Sequence, residues 1–172
     1  MVNLDFKNLT KENWLQPDQI SYSFLKLSMV DGRVSPATGE DWISLFLRPT
    51  LSESVPANVR ALFDVARGSL AYGYFFYPLY ALAGEQLFRV AEAAITAKCE
   101  QIEASHSLYN FNSKLRHLRK RKIISEQEFS QWNDLRKMRN EASHPKDQTI
   151  LPPGPVSIIL ESIAERINTL FA

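Results

Sequence analysis

The chain has 172 residues, a net charge of +1 at neutral pH, and 45% hydrophobic and 23% charged residues. These are ordinary values for a soluble globular protein, and the length suits one domain with a real core and room for an extension. A lone Cys99 excludes an internal disulfide framework and fits a reducing, cytoplasmic setting. Three histidines and one cysteine, widely spaced, make no zinc pattern, and His106 and His117 lack partners at metal-ligand spacing.

Residues 1–50 read as an irregular extension without assigned chemistry. The first residues lack the basic-then-apolar layout of a signal peptide. Thr10 to Trp14 predicts a short helix ended by Pro17, Asp31-Gly32 predicts a hairpin turn, and Asp41 to Leu47 a further short helix. A domain over 51–172 follows. Ser54-Val55-Pro56 opens a helix with Ser54 as its cap, and Val59, Leu62, Phe63 and Ala66 give that helix a stripe.

From Gly68 to Gly84 no residue is charged, and six aromatic residues lie between Tyr72 and Tyr80. The run is too short, too rich in tyrosine and too interrupted by Pro78 to span a membrane. It predicts a core element or a dimer surface, with Pro78 kinking a long helix or separating two. Leu79 to Glu103 is the most apolar helix, central to a bundle. Arg89 lies at helical spacing from Glu85 and Glu92. The two carboxylates form either a surface ion network with Arg89 or a partner for an arginine elsewhere.

Asn112 to Lys122 carries Lys114, Arg116, Arg119, Lys120, Arg121 and Lys122, anchored by Leu115 and Leu118. Residues 114–146 hold ten of the twenty Lys and Arg but only four of the nineteen Asp and Glu, leaving +6 there and −5 elsewhere. Such asymmetry predicts an anionic partner, against the plainer reading of a solvated face. Ser125 and Glu128 form a capping box, and Phe129, Trp132, Leu135, Met138 and Ala142 recur on one helical face. Pro145 ends this helix near His144. Pro152-Pro153-Gly154-Pro155 predicts a loop, and Val156, Ile159, Ile163, Ile167 and Leu170 a last amphipathic helix.

Arg139 falls between Trp132 and Leu135 on the apolar arc, where a guanidinium needs an anion. Asn140 and His144 lie one turn apart on the neighbouring edge. A cation, an amide and an imidazole in one small volume suit a phosphate. Arg139-Asn140-x-x-x-His144 resembles the Arg-Asn-x-x-x-His motif of HEPN domains over roughly the last two thirds of the chain. The resemblance implies an all-α, HEPN-like helical bundle and a metal-independent ribonuclease whose site is assembled across a homodimer.

On that reading His144 transfers protons, Arg139 holds the phosphate, and Asn140 donates to it or fixes the imidazole. Ser143 is a weaker candidate for that last role, and Glu85 or Glu92 would orient Arg139. The basic residues from Lys114 to Lys122 would hold the RNA backbone, with Tyr109, Phe111 or Trp132 as stacking candidates, although Trp132 is better placed for the core. No metal or other cofactor is implied. A binding module that grips nucleic acid without cutting it uses nearly the same residues. An interaction protein, partnered by an antitoxin or a nucleotidyltransferase, would dock through the aromatic run instead.

Overall fold

The helix Leu79–Gln101 is the longest among the described residues and packs against four other helices. The structure, a computed structural model, describes residues 7–104, 108–142 and 152–172. In chain order a short 3-10 helix (Gln19–Ser23) precedes β1 (Leu25–Leu27), β2 (Val34–Pro36) and α1 (Gly39–Leu47). There follow α2 (Ala57–Tyr72), α3 (Leu79–Gln101), α4 (Phe111–Lys120), α5 (Glu126–Ala142) and α6 (Pro153–Leu170). The described residues are thus mostly helical, as the apolar periodicities predict. Among them no helix is long and apolar enough to cross a membrane.

α3 packs against α2, α4, α5 and α6. Its arc is apolar over most of the circumference, and Leu87, Val90, Ala94 and Ile95 are fully buried. Pro78 separates α2 from α3 rather than kinking one helix, because the turn 73–78 reverses the chain. Gly73 is needed in that turn, where a Cβ would stand 2.6 Å from the Tyr80 ring.

Described residues from the first fifty also join this core. Leu27 pairs with Val34 and Leu25 with Pro36 in the antiparallel hairpin, turned through Gly32 at a φ of 67°. Thr38 and Asp41 form a capping box on α1, and Lys26 beside Asp41 holds its carboxyl down to about 2. α1 then inserts Trp42 and Phe46, which join Phe24, Tyr77 and Tyr80 in a chain of aromatic contacts. Part of the aromatic run is therefore core: Tyr77 and Tyr80 are buried, Tyr74, Phe75 and Phe76 are half-buried, and Tyr72 is exposed.

Asp18 fastens the N-terminal segment to the turn before α3. It is 1% exposed, and its carboxylate accepts the amides of Ile20 at 3.1 Å and Tyr77 at 3.0 Å. Its own amide donates to the Tyr74 carbonyl at 2.9 Å. Asp18→Ala leaves the Tyr77 amide buried without its acceptor, and a loss of about 1–3 kcal/mol is expected. The midpoint of urea unfolding measures it.

Three local expectations are corrected. Residues 10–14 make a single turn, with Trp14 bonded to the Thr10 carbonyl, and do not continue as a helix. Ser54 does not cap α2, since its hydroxyl bonds to Ser52 and Pro56 occupies the cap position. Pro153, Gly154 and Pro155 are helical: they fill the first turn of α6, whose amides have no partner within the helix, so the missing N–H groups cost nothing.

α4 and α5 form a helical hairpin. Asn110 and Ser113 cap α4 reciprocally. The chain leaves α4 through Lys122 at a φ of 56°, where the Ile123 amide reaches back to the Leu118 carbonyl at 3.0 Å. The expected capping box at Ser125 is present: the Ser125 amide donates to Glu128 at 2.7 Å, and the Glu128 amide donates to the Ser125 hydroxyl at 3.2 Å. The Ser125 amide and hydroxyl hold the Glu128 carboxyl below its ordinary range. Trp132 and Leu135 are buried, joining α5 to the core.

Candidate functional site

Arg139 meets α3 near the end of α5. One of its terminal nitrogens donates to Oε2 of Glu92 at 3.2 Å, across two helices distant in sequence. Of the two carboxylates expected to orient Arg139, Glu92 makes this contact, and Glu85 lies exposed two turns away along α3. Among the described residues Arg89 makes no ion pair, so the Glu85–Arg89–Glu92 surface network does not form.

The expectation of a core-facing Arg139 is corrected. Its side chain is 45% exposed and that of Glu92 36%. Phe129, Trp132 and Leu135 meet apolar neighbours, but beyond them α5 runs onto the polar strip of α3. Met138 is already 37% exposed. Arg139 keeps its angular position on the helix, and the surface opposite has changed from apolar to carboxylate. Asn140 follows, exposed. Ser143 and His144 lie outside the described residues.

Lys114 reaches the same turn of α3 from α4. Its ammonium donates to the Thr96 hydroxyl at 2.8 Å, and that hydroxyl donates to the Glu92 carbonyl at 2.8 Å. A single helical turn, 92–96, is thus gripped by a cation from each of two neighbouring helices. Burial pushes the Cys99 thiol up, and the Lys114 charge opposes that only in part. The 5% exposed thiol is a poor nucleophile near neutrality.

The other basic residues do not gather here. α4 and α5 run antiparallel, and Arg119 pairs with Glu126 at 3.3 Å while its guanidinium stacks 4.2 Å over the Phe129 ring. Thirteen residues at about 1.5 Å each put Arg139 roughly 20 Å along α5 from that contact. Lys120, Arg121 and Lys122 sit at the same far end, exposed. Arg116 is exposed on α4. The expected basic rim therefore divides. Lys114 is at the Arg139 end, and Arg119 is engaged at the opposite end. Of the stacking candidates, Phe111 and Trp132 are core and Tyr109 is 87% exposed.

A groove of about 310 Å³ adjoins the Arg139–Glu92 contact, lined by Asn58 of α2 and by α3 from Arg89 to Glu100. Asn58, Thr96 and Glu100 are not among the residues that the sequence marks as candidates. The spacing of Arg89, Glu92, Thr96 and Glu100 by three and four residues is a usable signal for the α3 wall, whereas nothing local marks Asn58. Among the described residues no three His, Cys, Asp or Glu side chains gather in a metal-binding arrangement.

The chain matches no protein-family model, and no curated protein or solved structure matches it.

Proposed function

We propose that the protein is a metal-independent endoribonuclease of the HEPN type, with Arg139, Asn140 and His144 as its catalytic group and a HEPN-like bundle as its fold. The observation that carries the reading is the half-exposed Arg139 guanidinium, steadied by Glu92 at a helix end five residues before His144. A guanidinium is a planar fork of N–H donors suited to two phosphate oxygens, and a carboxylate beside it fixes where that fork points.

The reaction is an attack by the ribose 2′-hydroxyl oxygen on the adjacent phosphorus. His144 takes the hydroxyl proton, since an imidazole titrates near neutrality. The new P–O bond closes a 2′,3′-cyclic phosphate as the bond to the 5′-oxygen breaks. That oxygen leaves as a hydroxyl after gaining a proton. Arg139 neutralises the charge that builds on the non-bridging oxygens, and Asn140 donates to one of them or orients the imidazole. A second copy of the chain would bring a second His144 to protonate the leaving oxygen, which makes a homodimer part of the proposal. RNA is the substrate partner, and an antitoxin or a nucleotidyltransferase would be a regulatory partner in a toxin or defence setting.

Purified protein with mixed RNA in excess EDTA tests the chemistry. Products ending in a cyclic phosphate and a 5′-hydroxyl are expected. Ends bearing a 5′-phosphate would contradict it. A second reading, nucleic-acid binding without cleavage, is favoured by the exposed Lys120, Arg121 and Lys122 so far from Arg139. It predicts RNA retained at low salt, released steeply as salt rises, and left intact.

A further inference from the structure

The groove beside Arg139 has the size and chemistry of a site for one base. We infer that it is a base-reading subsite for a guanine flanking the cleaved phosphate, with Glu100 as the discriminating residue. This rests on the nuclease reading above.

About 310 Å³ is at the lower limit of small-molecule pockets and admits one nucleobase with part of its sugar. Ala93 and Ala97 line it without bulky side chains, so a flat ring can lie along α3 between the polar groups on either side. Two of those groups are already committed. Glu92 holds Arg139, and the Thr96 hydroxyl accepts from Lys114 and donates to the Glu92 carbonyl. Asn58, Arg89 and Glu100 make no side-chain hydrogen bond among the described residues, and all three are exposed. They are the groups left to recognise a ligand.

Their chemistry selects a base rather than another phosphate. Glu92 and Glu100 both line the groove, and two carboxylates repel a phosphate there. A carboxylate accepts two parallel hydrogen bonds, and guanine offers adjacent N–H donors on its pairing edge. Uracil offers one such donor, and the amino groups of adenine and cytosine each stand beside an acceptor that a carboxylate repels. Arg89, eleven residues and about 16 Å before Glu100 along α3, stands at the phosphate end of the groove and does not reach the base. Glu100 lies two turns beyond Glu92, about 12 Å along α3, a distance that one extended nucleotide can bridge from a phosphate on Arg139.

The test compares cleavage of four single-stranded RNA oligomers that differ only in the base flanking one cleavable bond, the remaining bonds being blocked by 2′-deoxy sugars. The parent is expected to cut the guanine substrate about tenfold faster than the others, the discrimination typical of one good bidentate contact. Glu100→Gln should bring the ratio of guanine to non-guanine rates near one, because an amide presents an N–H group where the second acceptor was. Glu100 is exposed, so this change does not threaten the fold. A parent that cuts all four alike, or a Glu100→Gln protein that keeps the preference, would overturn the subsite while leaving the nuclease reading intact. A parent that cuts none of the four or mixed RNA would overturn both.

Discussion

Arg139→Ala is expected to lower the rate of RNA cleavage roughly 10²–10³-fold, the usual cost of removing one preorganised group that stabilises transition-state charge. Stability should hardly change. The ion pair that would be lost is half exposed on both sides, and such pairs are worth about 0–1 kcal/mol. In a chain of this length that is a shift of roughly 2–4 °C in Tm at most. Arg139→Lys keeps the charge and loses the fork, so an intermediate rate is expected. Glu92→Gln tests the positioning role. It leaves the groove in place but weakens the hold on the guanidinium, and should reduce kcat more than it raises KM. Thermal melting beside steady-state kinetics separates these outcomes from simple loss of fold.

Trp132→Ala should cost more stability than Arg139→Ala, Glu92→Gln or Asp18→Ala. The side chain is 1% exposed, the bulkiest of the fully buried ones, and it lies where α5 meets the core. Truncation removes its buried apolar surface and leaves a cavity that the flanking helices close only in part. Losses of about 3–5 kcal/mol are typical for such changes. A domain with a total stability of about 5–15 kcal/mol would be left near its threshold. Urea denaturation measures the loss, and Trp132→Phe should recover most of it. Cleavage measured below the melting transition should fall far less than for Arg139→Ala, because Trp132 holds the helix and does not touch the proposed reacting atoms.

The contrast between these residues shows which features a sequence displays openly. Trp132, Leu135 and the Ser125–Glu128 box announce themselves because helical periodicity and capping are local, and α5 forms as they predict. The wide apolar arc of α3 likewise predicts its central position. Periodicity gives the angle of Arg139 on its helix but not its environment, since exposure depends on what α3 presents at that level. The basic residues from Arg119 to Lys122 are near the motif in sequence and far from it in space, because an antiparallel hairpin sends the two ends apart. Trp42 and Phe46 enter the core through contacts with Phe24 and Tyr80, and Asp18 bonds to Tyr74 and Tyr77; these contacts join segments distant in sequence, which no local pattern displays. The first turn of α6 escapes a rule that holds only for helix interiors: prolines that break the middle of a helix are harmless at its start.

The most direct measurement is single-turnover cleavage of one RNA oligomer in excess EDTA by the parent and by His144→Ala, with far-ultraviolet circular dichroism on both. Cleavage by the parent, a rate reduced roughly 10²–10⁴-fold in the variant and the same helical spectrum for each are expected. Cleavage by His144→Ala at the parent's rate would contradict the nuclease reading, as would a parent that leaves the RNA whole.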